Sequence, residues 1–243
     1  MSGHNKWSKI KNKKGSEDAK KGKIFTKHAR NITVAAKEGG TNPDYNPSLK
    51  TAIEKAKADN MPNDNIERAI KKAAGDDASD NFVRVIYEGY GPGGVAVIVD
   101  CLTDNKNRTA PDVRHAFDKN GGNLGTDGSV MFMFERKGDI IVEKNGKDFD
   151  DFMMDALEAG CEDVKEMGEY FEAITDVASF NDANDKLKEA GYKIESADIS
   201  YLANNMISVS EEHVVKLNKL IDTLEDNDDV QEVYTNWDDS SEE

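Results

Sequence analysis

The hydrophobic period of this 243-residue chain changes abruptly at one place, the acidic break GDDASDN that begins at Gly75. Before the break, apolar residues recur every three or four positions; after it, short apolar runs alternate with helical stretches. Ser16 with Glu17 and Asp18 opens a helix whose stripe is Ile24, Phe25, His28, Ala29, Ile32 and Ala36, and Gly39-Gly40 stops it. Asn46 and Pro47 start a second helix with Leu49, Ala52, Ile53 and Ala56 inward. A third starts at Pro62, buries Ile66, Ala69, Ile70 and Ala73, and ends at Gly75. Residues 16–75 are therefore predicted to form a three-helix domain. Residues 1–15 carry few apolar side chains beyond Trp7 and Ile10, too few to offset their ordering entropy, which predicts a flexible arm.

Beyond the break, Phe82 to Tyr87 and VAVIVDCL read as a hairpin joined by the turn GYGPGG. A helix opened by Thr109, Pro111 and Asp112 follows, with Val113, Ala116 and Phe117 inward, then NGGNLGTDGS and a strand Val130 to Phe134. Gly138 marks a fresh unit: a strand Asp139 to Glu143, a helix Phe149 to Ala159 (Phe152, Met153, Ala156, Leu157), strands near Val164 and over Tyr170 to Thr175, a helix Phe180 to Ala190 and a strand Lys193 to Tyr201. That order, β-α-β-β-α-β, is the ferredoxin-like split unit. The last helix, Glu211 to Leu224, and strand, Val230 to Thr235, complete the earlier β-β-α-β. The predicted class is α+β with three domains: the helical domain and two ferredoxin-like α/β domains, residues 137–204 being inserted between 80–136 and 205–238.

Charge is as unevenly spread as period. The chain carries a net charge of -16, yet residues 1–72 hold 17 Lys and Arg against 8 Asp and Glu, and residues 73–243 hold 15 against 40. Such asymmetry points to nucleic acid as the partner of the basic end. The longest apolar run, GVAVIVDC, falls far short of the roughly 20 residues needed to cross a bilayer, and no apolar stretch backs the basic N-terminus, so a cytoplasmic protein without membrane association is expected. Cys101 and Cys161 stand in apolar patterns and read as reduced, buried thiols; the four histidines share no metal-ligand spacing, so neither metal nor cofactor is expected.

Three stretches carry a resemblance: GHNKWSKIKNKKGSEDAKKGKIFTKHAR, NMPNDNIERAIKKA and YEGYGPGGVAVIVDCLTDNKNRTAPDVRHAFDKNGGNLGTDGSV. Together they resemble the YebC/PmpR family of transcriptional regulatory proteins, whose mitochondrial relatives activate translation of a cytochrome oxidase subunit. The similarity runs in order along nearly the whole chain, with Pro111 a local departure. It implies one helical and two α/β domains. For function it implies DNA binding and gene regulation, and for some relatives work on the ribosome.

The candidate contacts follow from the charge. Lys6, Lys9, Lys11, Lys13, Lys14, Lys20, Lys21, Lys23, Lys27 and Arg30 place ten cations within twenty-five residues, a density suited to a phosphate backbone. Trp7 is the aromatic placed to stack on a base, or to pack on the helical domain. The third helix offers Arg68, Lys71 and Lys72 on one face, in a weak helix-turn-helix pattern with the second, and Arg108 and Arg114 make a small basic patch. The glycine-rich segments match no phosphate-binding loop and read as turns. The paired acids Asp150-Asp151 and Asp228-Asp229 lack a nucleophile or metal pattern, so no enzyme is expected. The leading expectation is a DNA-binding transcriptional regulator. A ribosome-associated factor that binds ribosomal RNA, with its acidic domains facing basic proteins, is the alternative.

Overall fold

The computed structural model describes residues 18–75 and 82–238. Within them run α1 (Asp18–Gly39), α2 (Pro47–Ala58), α3 (Asn63–Ala73), β1 (Val83–Tyr90), β2 (Ala96–Thr103), α4 (Lys106–Lys119), β3 (Asn123–Leu124), β4 (Phe134–Glu143), α5 (Phe149–Ala159), β5 (Asp163–Met167), β6 (Tyr170–Thr175), α6 (Phe180–Glu189), β7 (Ile194–Ala203), α7 (Glu211–Glu225) and β8 (Val230–Thr235). The class is α+β, with two four-stranded antiparallel sheets. No described helix is long and apolar enough to cross a membrane. The predicted arm, residues 1–15, lies outside the described residues.

Two compact units divide the described chain: residues 18–75, 82–130 and 209–235 in one, and 131–208 with 236–238 in the other. In the first, the three helices close on Ile32, Leu49, Ala56, Ile66 and Ala69, the residues their periodicity placed inward, together with Met61 of the loop between the second and third helices. Polar contacts set the height at which each helix meets α1. Asn46 caps α2 by accepting from the Leu49 N–H, and its amide donates to the carbonyls of Ala35 and Gly40, so the start of α2 is fastened to the end of α1. At the other end of α2, Asp59 lies 2.7 Å from the His28 imidazole. The Thr33 hydroxyl donates to the Ala69 carbonyl of α3. Along α1, the ascending levels 28, 33 and 35–40 thus meet the end of α2, the second half of α3 and the start of α2, an up-down-up bundle.

The sheet of this unit has the order β3-β1-β2-β8. Strand β2 is buried throughout and pairs with β1 on one side and β8 on the other. Helices α4 and α7 contribute Val113, Phe117, Leu217, Leu220 and Leu224 to the buried core. The β1–β2 turn contains Gly93 at φ 73, where a side chain would also strike Val209. Two sequence expectations are corrected. Helix α4 starts at Lys106 rather than Thr109, because the Asn105 side chain caps it by accepting from the Arg108 N–H, and Pro111 sits inside the helix. The third strand is Asn123–Leu124, paired with Gly89 and Tyr90, and not Val130–Phe134.

The second unit runs β4-α5-β5-β6-α6-β7 with strand order β5-β6-β4-β7, the ferredoxin-like arrangement. Its core stacks Phe152 on Phe171 at 4.7 Å, with the Tyr192 ring edge-on to Phe152 at 5.2 Å. Gly138 does not separate two strands as expected; it lies within β4. A side chain there would strike the Thr175 hydroxyl and the Phe180 ring, so glycine lets α6 close onto a continuous strand. On α5 the buried stripe is Phe152, Ala156 and Ala159, while Leu157, expected inward, is exposed. The other sheet has the same spatial plan, with β3, β1, β2 and β8 in the places of β5, β6, β4 and β7, but the chain threads it differently: the strand visited third in one is visited first in the other.

Candidate nucleic-acid interface

The cations of the first helix divide by what surrounds them. Lys23 Nζ lies 3.1 Å from Asp226 Oδ1 and donates to the Asp226 carbonyl; Lys27 Nζ donates to the Glu225 carbonyl at 2.7 Å. Arg30 Nη1 donates to the Asp228 carbonyl at 2.7 Å and to Asp229 Oδ1 at 2.9 Å. One face of α1 is therefore fastened to the end of α7 and the turn into β8. The last carbonyls of a helix lack intrahelical donors and carry the negative end of its dipole, which is where lysine and arginine are favourable. Beside them Asn31 donates to the Gln231 side chain at 2.8 Å.

Asp229 is the centre of this junction. Its side chain is 4% exposed and accepts from Arg30, from Arg108 Nε and Nη2, and from the hydroxyls of Thr103 and Thr109. Burial by itself would push this carboxyl up; the hydrogen bonds from Arg108, Thr109 and Arg30 outweigh it and hold the group below the usual carboxylate range. The same bond, with a second to Asp104, raises Arg108. Next to it, burial pushes the Cys101 thiol up to about 12, with Asp100 and Asp229 adding to the effect, so Cys101 is an inert thiol. Four of the predicted phosphate contacts, Lys23, Lys27, Arg30 and Arg108, are thus engaged by acceptors of the protein itself. Sequence reasoning missed those acceptors because, for α1, they lie about 200 residues away.

The remaining candidates stand elsewhere. Arg68, Lys71 and Lys72 are exposed on α3, at positions that share one helix face, and Ile66 and Ala69 are buried beneath them. Arg114 is exposed on α4 and Lys21 on α1. Lys20 belongs to α1, but its side chain lies outside the described residues, as do Lys6, Trp7, Lys9, Lys11, Lys13 and Lys14. His28 is partly buried against Asp59, as its place on the apolar stripe suggested. Tyr45, which the sequence did not single out, is 85% exposed in the α1–α2 loop. The signal was there in NPDYNP, an aromatic set between two turn-forming Asn-Pro pairs.

The glycine-rich segment after α4 is a turn held by the protein's own anion. The buried Glu88 carboxylate accepts from the N–H groups of Gly128 at 2.6 Å and Val130 at 2.8 Å. Among the described residues, no group of three or more His, Cys, Asp or Glu could hold a metal ion.

Comparison with known proteins matches residues 5–76 to the TACO1/YebC protein N-terminal domain and residues 82–237 to the TACO1/YebC second and third domain. A relative from Finegoldia magna, named "Probable transcriptional regulatory protein", is 60% identical over 239 residues, covering 98% of this chain and 99% of the relative. Another of that name from Clostridioides difficile is 56% identical, covering 94% and 96%. Among solved structures, a conserved hypothetical protein from Aquifex aeolicus superposes with a TM-score of 0.84 at 46% identity, over 91% of each chain. The helical domain, both sheet domains and this unbroken likeness together place the chain in the TACO1/YebC family.

Proposed function

We propose that this protein is a nucleic-acid-binding regulator of gene expression that acts as a DNA-binding transcriptional regulator and works without catalysis. The observation that carries the reading is segregation of charge: residues 1–72 have a net charge of +9 and the remaining chain -25. The names of the relatives support a role in transcription. Cations of the basic end that the protein does not engage with its own acceptors would contact phosphate, which supplies affinity but no sequence information. If about six phosphates are met, log K falls with log salt at a slope near -5 on duplex DNA and about -4 on single strands. The acidic remainder limits non-specific adhesion and offers a surface to basic proteins.

A second reading, binding to ribosomal RNA during translation, draws on the same asymmetry, because a body of charge -25 is repelled by a long duplex but fits among basic ribosomal proteins. Two measurements decide between them: oligonucleotide binding as a function of salt, and co-sedimentation with ribosomes. A preferred promoter sequence supports transcription. Salt-resistant ribosome association without sequence preference supports translation, and activity that survives conversion of Lys9, Lys13 and Lys20 to Glu contradicts both.

A further inference from the structure

The helical bundle brings one aromatic and several cations to a single end, opposite the start of α1. Because α2 begins where α1 finishes, Tyr45 and Lys50 stand beside the last turn of α1, which carries Lys37. Helix α3 starts near the His28–Asp59 level and passes Thr33 at Ala69, so its last turn, with Lys71 and Lys72, rises toward that same end. Tyr45 is mounted rigidly. Its N–H donates to the Asn42 carbonyl, Asp44 N–H donates to the Asn42 side chain, and the following Asn46 is fixed by bonds to Ala35, Gly40 and Leu49.

We propose that this end is a binding site for unpaired nucleic acid, in which a base stacks on Tyr45 and the flanking phosphates meet Arg68 and Lys71. The proposal rests on the nucleic-acid reading above and adds to it a ligand class and a contact residue. An aromatic ring 85% exposed on a stiff loop loses little conformational freedom on stacking, and every base has a face to offer it. A duplex does not expose such a face along its length, whereas a loop, bulge or melted strand does. Arg68 and Lys71 on the neighbouring helix supply the backbone attraction that stacking lacks.

The test uses the full-length protein and fluorescence anisotropy with a labelled 15-mer of thymidine, a 15-mer of uridine and a 15-base-pair duplex, each at several salt concentrations. Tyr45→Ala is expected to weaken single-strand binding about tenfold. Its salt slope and duplex binding should be unchanged, and Tyr45→Phe should bind as the parent does. Arg68→Gln with Lys71→Gln should flatten the salt slope by about 2. Equal loss on single strands and duplex overturns the stacking role, as does parental affinity of Tyr45→Ala in a protein that still binds in a salt-dependent way. Absence of salt-dependent binding to any of the three probes overturns the nucleic-acid reading itself, and this site with it.

Discussion

The helical domain presents two sets of cations that look alike on paper and differ in the folded protein. Lys23, Lys27 and Arg30 on α1 donate to carbonyls and carboxylates at the end of α7 and in the turn into β8, while Arg68 and Lys71 on α3 face solvent. Lysine density in a sequence says that an anion is required. It does not say whose. On α1 the anion is partly the protein's own, and the cations there serve as a joint between the helical domain and the first sheet.

That contrast is most directly broken at Asp229. Asp229→Asn leaves Arg30 and Arg108 facing a neutral amide in a buried setting and is expected to cost about 3 kcal/mol of stability, read from urea or thermal unfolding. Acid should reproduce part of the same loss. The folded-state pKa of Asp229 lies below its unfolded value of about 3.9. Its stabilisation is therefore present above that value and disappears as pH falls through the folded pKa. An unfolding series from pH 6 to pH 2 should show a drop that the Asn variant shows more weakly. Asn46→Ala, which removes a cap and the ties to Ala35 and Gly40, is expected to cost about 1 to 2 kcal/mol. Arg68→Gln with Lys71→Gln should change stability by less than about 0.5 kcal/mol and alter only nucleic-acid binding. A large stability loss from that pair would erase the distinction between the two sets.

The sequence revealed most of the architecture because period and punctuation are local. Stripe residues such as Ile32, Leu49 and Ile66 took their predicted places, and the inserted unit's topology followed from the order of its elements. The errors trace to particular residues. Gly138 reads as a break unless one knows that Phe180, 42 positions later, needs the space of a missing side chain. Pro111 masks a helix start that Asn105 sets six residues earlier. The junction at Asp229 was invisible for a different reason: its acceptor and its α1 donor are separated by 199 residues, and no spacing rule connects them.

Strand β2 is the spine of its sheet, yet its partner β8 arrives only after residues 131–208 have been laid down. During synthesis, the long intervening segment can assemble its own strand order while β2 waits with one flank open. The closing stroke belongs to residues 209–235, which lay β8 along β2 and in the same motion bring Asp229 to Arg30. Fastening of the first helix is thereby deferred until the turn that carries Asp229 has been made.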